Sequence, residues 1–379
     1  MKKFTKMWAI AACALFAGTA AVNAEDYTWK FVTAGDATTY AIRSDGSLWS
    51  WGWNEKGQGG NGVSERTATP TLADGNRVWK KAVGGKAYGF FLAEDGSLWA
   101  AGTHEGGVQG TNDGIDHKVL TRIGTDNDWA DMACSRFWGY SGFAIKTNGT
   151  LWAWGKNSAG QLGIGNTQAQ TAPVQVGADM DWKQVAAGCS SVLALKTDGS
   201  LWGWGFNMYS ELFGHEGKQL SPVRLGSETD WEQVVVIDFR AYAVKKDGTL
   251  WAWGDNANNL LGFNTPTEEE TTAEGNPVEV VTVPQITAPT HVTSIEGKVL
   301  TISGCENTLS VATGTDGVIE KVWMLGSNTD GALGDGKGLG NGNKDIPFAK
   351  VPVHPSLKSS LKFAGMSSGQ NYTVMLTTD

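Results

Sequence analysis

The chain has 379 residues, a formal net charge of −9, 18% charged residues, 51 glycines and 18 tryptophans. An acidic chain with no basic run repels nucleic acid and anionic membrane surfaces, so neither is expected as a partner. So many glycines and so few charges suit tight turns between short strands, not helices.

Residues 1–24 read as a secretory leader. Lys2, Lys3 and Lys6 give a positive start, WAIAACALFAGTAAV a short apolar run, and Val22-Asn23-Ala24 a small-residue end before Glu25. The run is shorter than the roughly 20 apolar residues of a spanning helix, and no later segment is longer. Residues 25–379 are therefore expected as a single domain, secreted or periplasmic, with the cell surface as a further option and no membrane insertion after cleavage. Beyond the leader lie Cys134, Cys189 and Cys305. An odd count without a close pair is read as buried thiols, with a Cys134–Cys189 bridge between neighbouring repeats as the alternative.

A repeat then dominates the chain: DGSLWSWGWN at 45, DGSLWAAGTH at 95, NGTLWAWGKN at 148, DGSLWGWGFN at 198, DGTLWAWGDN at 247 and a degenerate DGVIEKVWMLGSN at 316. The intervals of 50, 53, 50, 49 and 69 residues fit a propeller, solenoid or array. The fourth unit shows its content. WKQVAAG and SVLALKT are two short strands, Asp198-Gly199 is a hairpin turn expected as type I′, and SLWGWG is a third strand. A proline-led run closes the unit, as in APVQV at 172, SPVRL at 221 and NPVEV at 276. Four antiparallel strands per unit, with no helical period, are propeller blades. The tryptophans follow this frame. Five start first strands (Trp29, Trp79, Trp129, Trp182 and Trp231) and ten lie in third strands, leaving Trp53 and Trp138 out of register in the mature chain. Residues 263–297, rich in Thr, Pro and Glu, read as a flexible insertion. FAGMSSGQNYTVMLTTD, with Phe363 at its head, repeats WKQVAAGCSSVLALKTD and begins a seventh unit. The expected fold is all-β: a seven-bladed propeller of four-stranded antiparallel blades with the last incomplete, six blades being the runner-up.

These motifs, with GQLGIGN at 160–166, resemble the regulator of chromosome condensation repeat family over essentially the whole mature chain. The resemblance implies a seven-bladed propeller. The family's eukaryotic founder is a nucleotide exchange factor that binds chromatin, a role that the acidic charge and leader argue against here. Thr38, Tyr88, Ser191 and Tyr372 stand where members commonly carry a histidine, so that histidine's role is not implied. In fold and export the chain is similar to a secreted bacterial branch that includes a propeller-type β-lactamase inhibitory protein, which binds its target with aromatic loops on one face.

Signals for chemistry are sparse. The five histidines have no metal or triad spacing, and His104 replaces the asparagine found at 54, 157, 207, 256 and 328, read as turn residues tolerating left-handed φ. Asp330, Asp335 and Asp345 in the glycine-rich loop 328–345 suit calcium in type, but the same stretch is the ordinary repeat turn. No cofactor is expected. Two sets of variable loops remain. After first strands they offer Lys86, Tyr88, Arg136, Phe137, Trp138, Tyr140, Asp238, Phe239 and Arg240; after third strands, Trp53, Phe206 and Tyr209. Aromatic and arginine side chains on a rigid frame are the residues that dominate binding interfaces. The expectation is a monomeric, non-enzymatic binding protein whose ligand is a protein or a glycan. The alternatives are a carbohydrate-binding or surface module, and a lyase or hydrolase with an axial site.

Overall fold

In the computed structural model the described residues are 5–11, 28–136, 138–256, 260–262, 268–271, 277–280, 285–305, 308–327, 345–350, 362–369 and 372–378. They form six four-stranded antiparallel sheets. Blade 1 comprises Trp29–Ala34, Thr38–Arg43, Leu48–Gly52 and Thr67–Asp74; blade 2, Trp79–Gly84, Tyr88–Ala93, Leu98–Gly102 and His117–Arg122; blade 3, Trp129–Cys134, Ser141–Lys146, Leu151–Gly155 and Gln170–Gln175. Blade 4 comprises Trp182–Ala187, Ser191–Lys196, Leu201–Asn207 and Gly217–Arg224; blade 5, Trp231–Ile237, Arg240–Lys245, Leu250–Asp255 and Gln285–His291; blade 6, Val299–Cys305, Thr308–Thr315, Val318–Ser327 and Asp345–Lys350. The first strands pack against one another around a central axis. Among the described residues the four-stranded blades thus number six, not seven.

Between blade 6 and blade 1 lies a three-stranded sheet of Lys362–Gly369, Tyr372–Thr378 and, outermost, Thr5–Ala11. The last strand comes from the segment read as a leader. It meets its neighbour in the register of a third strand: Ala11 faces Tyr372 and Met7 faces Leu376, as Gly52 faces Thr38 and Leu48 faces Ile42. Met7-Trp8-Ala9-Ile10-Ala11 thereby overlays the Leu-Trp-x-Trp-Gly pattern of the blades.

The repeated residues explain themselves as bonds. Trp49 Nε1 donates to Ser47 Oγ (2.9 Å), which donates to Asp45 Oδ1 (2.6 Å). The same relay runs through Trp99, Ser97 and Asp95; Trp152, Thr150 and Asn148; Trp202, Ser200 and Asp198; and Trp251, Thr249 and Asp247. These bonds hold the Asp95, Asp198 and Asp247 carboxyls below the usual range. The turns differ from type I′, because only their glycine has positive φ, as at Gly46 (+87°) and Gly199 (+84°). Arg43 N bonds Ser47 O, so the loop has three residues, a type I turn closed by a left-handed glycine. Blade 6 alone uses a two-residue turn with both φ positive, at Asp316 (+50°) and Gly317 (+75°).

The same glycine joins the blades. Gly46, Gly96, Gly149, Gly199 and Gly248 each accept on their carbonyl the N–H of the residue that opens the next first strand, at 2.9–3.2 Å. A Cβ at Gly199 would stand 2.2 Å from Thr229 O. The second tryptophan of the motif is a second staple. Fully buried Trp154, Trp204 and Trp253 donate Nε1 to Val108 O, Gln161 O and Glu211 O of the preceding blade at 2.7–2.8 Å.

In blade 5 the proline-led run at 276 is not the fourth strand. Pro277–Val280 pairs with Glu268–Thr271 in a separate hairpin, and Gln285–His291 takes the edge. Pro289 there matches Pro70, Pro173 and Pro222: each sits inside a register shift on the edge strand, where a missing N–H costs no ladder bond. The sequence expectation chose the wrong proline because it could not see register.

Candidate interaction rim

In blades 1–5 the loop after the first strand and the loop after the third lie at the same end. One backbone bond, repeated, ties them: Trp53 N to Ala37 O, Thr103 N to Ala87 O, Lys156 N to Tyr140 O, Phe206 N to Ser190 O and Asp255 N to Phe239 O, all at 2.9–3.0 Å. The two loop sets picked from the sequence therefore form one rim.

Within it the candidates separate by depth. Trp138 is 52% exposed, and Lys86 Nζ stands 3.2 Å from the centre of its ring. A cation over an indole face is an attractive contact, so the ring is braced while half of the residue stays in solvent. Trp53, Phe206, Tyr209 and Phe239 are half-buried. The Tyr209 and Phe239 rings pack 4.9 Å apart across the seam of blades 4 and 5, and Lys218 Nζ lies 6.0 Å from the Phe206 ring. Phe137 lies outside the described residues.

Three candidates expected from the sequence as exposed loop residues are buried. Tyr88 (0% exposed) and Tyr140 (4%) belong to one core cluster, 5.9 Å apart, with the Tyr88 hydroxyl donating to Ser135 O. Arg240 (6%) turns inward to Asp255, Nε to Oδ2 3.6 Å. A period-two strand pattern tells which face a side chain takes but not that a neighbouring blade covers that face. These three support the rim from beneath.

Arg136 and Asp238 serve the axial mouth. Arg136 Nη1 donates to Ser368 O on the far side of the ring, and Asp36, Cys134 and Cys305 surround the guanidinium. Cys305 Sγ approaches Asp36 Oδ1, and Cys189 Sγ approaches Asp238 Oδ1, both at 3.8 Å. Asp238 takes a left-handed φ of +52° in a two-residue turn. Its burial pushes its carboxyl up, opposed by Arg240. Burial pushes the Cys134 and Cys189 thiols to about 12, so both are neutral thiols at pH 7 and poor nucleophiles. Among the described residues Cys134, Cys189 and Cys305 form no disulfide. Behind Arg136 an axial cavity of about 190 Å3 is lined by first-strand residues including Lys81, Asp131, Gln184 and Ser303. Lys81 and Asp131 neutralise each other there.

Among the described residues no cluster of three His, Cys, Asp or Glu side chains is placed for a metal. Asp330 and Asp335 of the calcium candidate lie outside the described residues. The repeat asparagines are loop staples rather than left-handed turn residues. Asn54, Asn157, Asn207 and Asn256 accept on Oδ1 the N–H five residues on, at 2.7–3.0 Å, and none has positive φ. His104, in that position, instead bonds Asp116 through Nδ1 at 2.6 Å.

Sequence reasoning missed Glu211, fully buried in the loop that carries Phe206 and Tyr209. The available signal was a break in the frame: SELF at 210–213 stands where GQLG stands at 160–163.

The regulator of chromosome condensation (RCC1) repeat matches residues 45–92 and 148–195, and a second description of that repeat matches 29–58. The ultraviolet-B receptor UVR8 of Arabidopsis thaliana is 30% identical over 163 residues, 42% of this chain and 37% of the receptor. Human protein RCC2 is 27% identical over 150 residues, 39% of this chain and 19% of its own length. The matched stretches therefore span well under half of either relative. Among solved structures, Prp20p of Saccharomyces cerevisiae overlays with a TM-score of 0.75 at 16% identity, covering 99% of this chain and 91% of that one. Human WBSCR16 overlays at 0.71 and 17%, covering 93% and 87%. At such identities the overlays speak for the fold alone.

Proposed function

The chain is an RCC1-like β-propeller, and from that premise we propose that it is an exported, non-enzymatic binding protein whose rim recognises another protein. The observation that carries this reading is the Lys86–Trp138 platform. Nearly every other tryptophan is spent on joining strands and blades, whereas Trp138 stands 52% exposed in a lengthened loop with a cation braced on its ring. Such a side chain, on the same rim as half-buried Tyr209, Phe239, Phe206 and Trp53, has the chemistry of an interface anchor. The structure of Prp20p is described with that protein's binding to Gsp1p and histones, which supports protein recognition as a use of this fold. Residues 25–379 pulled through extracts of neighbouring cells, with Trp138→Ala as the control, test the reading. A partner captured by both forms alike, or glycans bound in place of proteins, overturns it.

Export rests on residues 1–24 as a cleaved leader. N-terminal sequencing of the exported chain is expected to return Glu25, and Met1 would overturn the leader. Cleavage there removes Thr5–Ala11 from the terminal sheet and leaves Tyr372–Thr378 as its edge. We read that sheet as an incomplete seventh blade.

A further inference from the structure

The sheet between blades 6 and 1 is fixed from both sides. Toward blade 1, Val374 and Leu376 pack with Val32, Ala34 and Ala41. On the same side Ala34 N donates to Ser367 Oγ at 2.9 Å, and Thr39 Oγ1 donates to the Tyr372 hydroxyl at 3.1 Å. Toward blade 6, Met375 packs with Ala312, Val322 and Met324. There Ser310 Oγ lies 2.7 Å from Ser368 Oγ and 3.1 Å from Thr373 Oγ1. Arg136 holds the Ser368 carbonyl from across the axis. None of these contacts involves Thr5–Ala11, so Tyr372–Thr378 keeps its place when that strand is cleaved away. Its outer backbone groups then stand open along the length that pairs with Thr5–Ala11. Unpaired N–H and C=O groups along an edge are a template for another strand.

Two features say what fits this edge. The first is its depth. Blades 6 and 1 both run on to a fourth strand, Asp345–Lys350 and Thr67–Asp74, whereas Tyr372–Thr378 is a second strand. With neighbouring strands about 4.8 Å apart, the edge lies about 10 Å inside those outer strands. The same edge of a second copy is walled in the same way, so two such edges cannot meet, but a single extended segment can enter. The second feature is that the structure holds such a segment. Thr5–Ala11 pairs antiparallel, from Thr5 against Thr378 to Ala11 against Tyr372, and also packs on Trp29–Ala34. Its Trp8 and Ile10 take the register positions that Trp49 and Trp51 hold in blade 1. A strand covered on both faces reads as a continuous apolar run, and Met7-Trp8-Ala9-Ile10-Ala11 is one.

We propose that the exported chain captures an extended, uncharged, apolar segment of another protein as the third strand of this sheet, and that Thr5–Ala11 fills the same edge until the leader is removed. Main-chain bonds supply the affinity, and the seams with blades 6 and 1 select apolar side chains. The proposal rests on cleavage after Ala24 and not on the aromatic rim being a binding face.

The test inserts a specific protease site between Ala24 and Glu25 of the full chain and cuts it after folding. The probe is a fluorescent peptide of residues 5–11, TKMWAIA, in excess over the cut segment. The cut chain is expected to bind it at least about tenfold more tightly than the uncut chain, whose own strand is tethered at high effective concentration. Peptides N-methylated at Met7, Ala9 and Ala11, or at Lys6, Trp8 and Ile10, separate a ladder from mere adhesion, because alternate N–H groups face the edge. One set is expected to weaken binding at least about tenfold and the other to leave it within about twofold. Equal effects of the two sets overturn strand capture. So does a cut chain that ignores the peptide, or one that dimerises through the edge in its place. Equal binding to cut and uncut chains puts the peptide elsewhere and overturns it too. N-terminal sequencing of the exported chain keeps the two readings apart. A start at Met1 overturns the leader and with it the opening of the edge, whereas a start at Glu25 with no peptide bound overturns the edge alone.

Discussion

Blades 3 and 5 are built alike on the hairpin side and differ at the rim. On the hairpin side Lys146 lies 4.8 and 4.9 Å from the rings of Trp129 and Trp152, and Lys245 lies 4.8 Å from both Trp231 and Trp251. Both blades receive the backbone bond from the preceding glycine. At the rim blade 5 turns in two residues, Asp238 and Phe239, whereas blade 3 takes residues 135–140 and lifts Trp138 into solvent. The difference follows from where neighbours are tied. The hairpin side is fixed on three counts: a relay within the blade, a backbone bond between blades, and a cation between two rings. At the rim the inter-blade bonds run from Trp154, Trp204 and Trp253 to the loop after the third strand of the preceding blade, and the loop after the first strand of blade 3 lengthens outside those bonds.

The comparison breaks most severely if an inter-blade staple is cut. Trp204 is fully buried, packs against Trp182 and donates to Gln161 O of blade 3. Trp204→Ala leaves a cavity and an unpaired carbonyl, and is expected to cost about 3–5 kcal/mol by denaturant titration. A loss below about 1 kcal/mol would mean that the seam between blades 3 and 4 repacks around the missing ring. Gly199→Val comes next. The new Cβ meets Thr229 O at a separation no neighbour can grant, on a backbone of φ +84° that a branched residue resists. The expected loss is more than about 1 kcal/mol, and an unchanged melting temperature would show that the turn can shift without loosening the next blade.

Much of this frame was legible because each repeat element makes a local or nearest-neighbour bond. Asp-Gly-Ser-Leu-Trp encodes a turn, a relay and a strand within a few residues, so reading it six times gave the blades. What stayed hidden depends on distance through space. Tyr88 and Arg240 look like loop residues along the chain, but the next blade covers one and Asp255 holds the other. The strand Thr5–Ala11 lies far from its partner in sequence, and a leader and an edge strand share an apolar pattern. Pro277 and Pro289 compete for one bulge, and only register chooses between them. Glu211 stands where other blades carry glutamine, and its full burial shows only once the loop is folded.

A smaller effect sharpens the contrast using one residue type. Lys245 is nearly enclosed by two indoles and pairs with Asp230 at 3.2 Å, whereas Lys86 serves the rim. Lys245→Met is expected to lower stability by about 1 kcal/mol through the lost cation–π contacts. Lys86→Met is expected to leave the melting temperature in place and to weaken partner capture by freeing the Trp138 ring. Equal melting losses in the two variants would erase the distinction between the two ends of the blade.

The smallest effect on folding belongs to Trp138 itself. At 52% exposure Trp138 keeps about half of its surface in solvent, and the turn beneath it is closed by Gly139 N to Arg136 O (3.2 Å) and by Ser141 N to Ser135 Oγ (2.8 Å), bonds that do not involve the indole. Trp138→Ala removes the platform for Lys86 and some contact with its own loop, and surface changes of this kind move stability by less than about 0.5 kcal/mol. If the ring anchors a partner, its loss weakens capture by about 2 kcal/mol or more, roughly thirtyfold in affinity. Trp138→Ala is therefore expected to melt with the parent chain and to fail in the pull-down, the reverse of Trp204→Ala. A variant that melts many degrees early would place the ring in the load of the fold, and the lengthened loop of blade 3 would then be one more support beneath the rim.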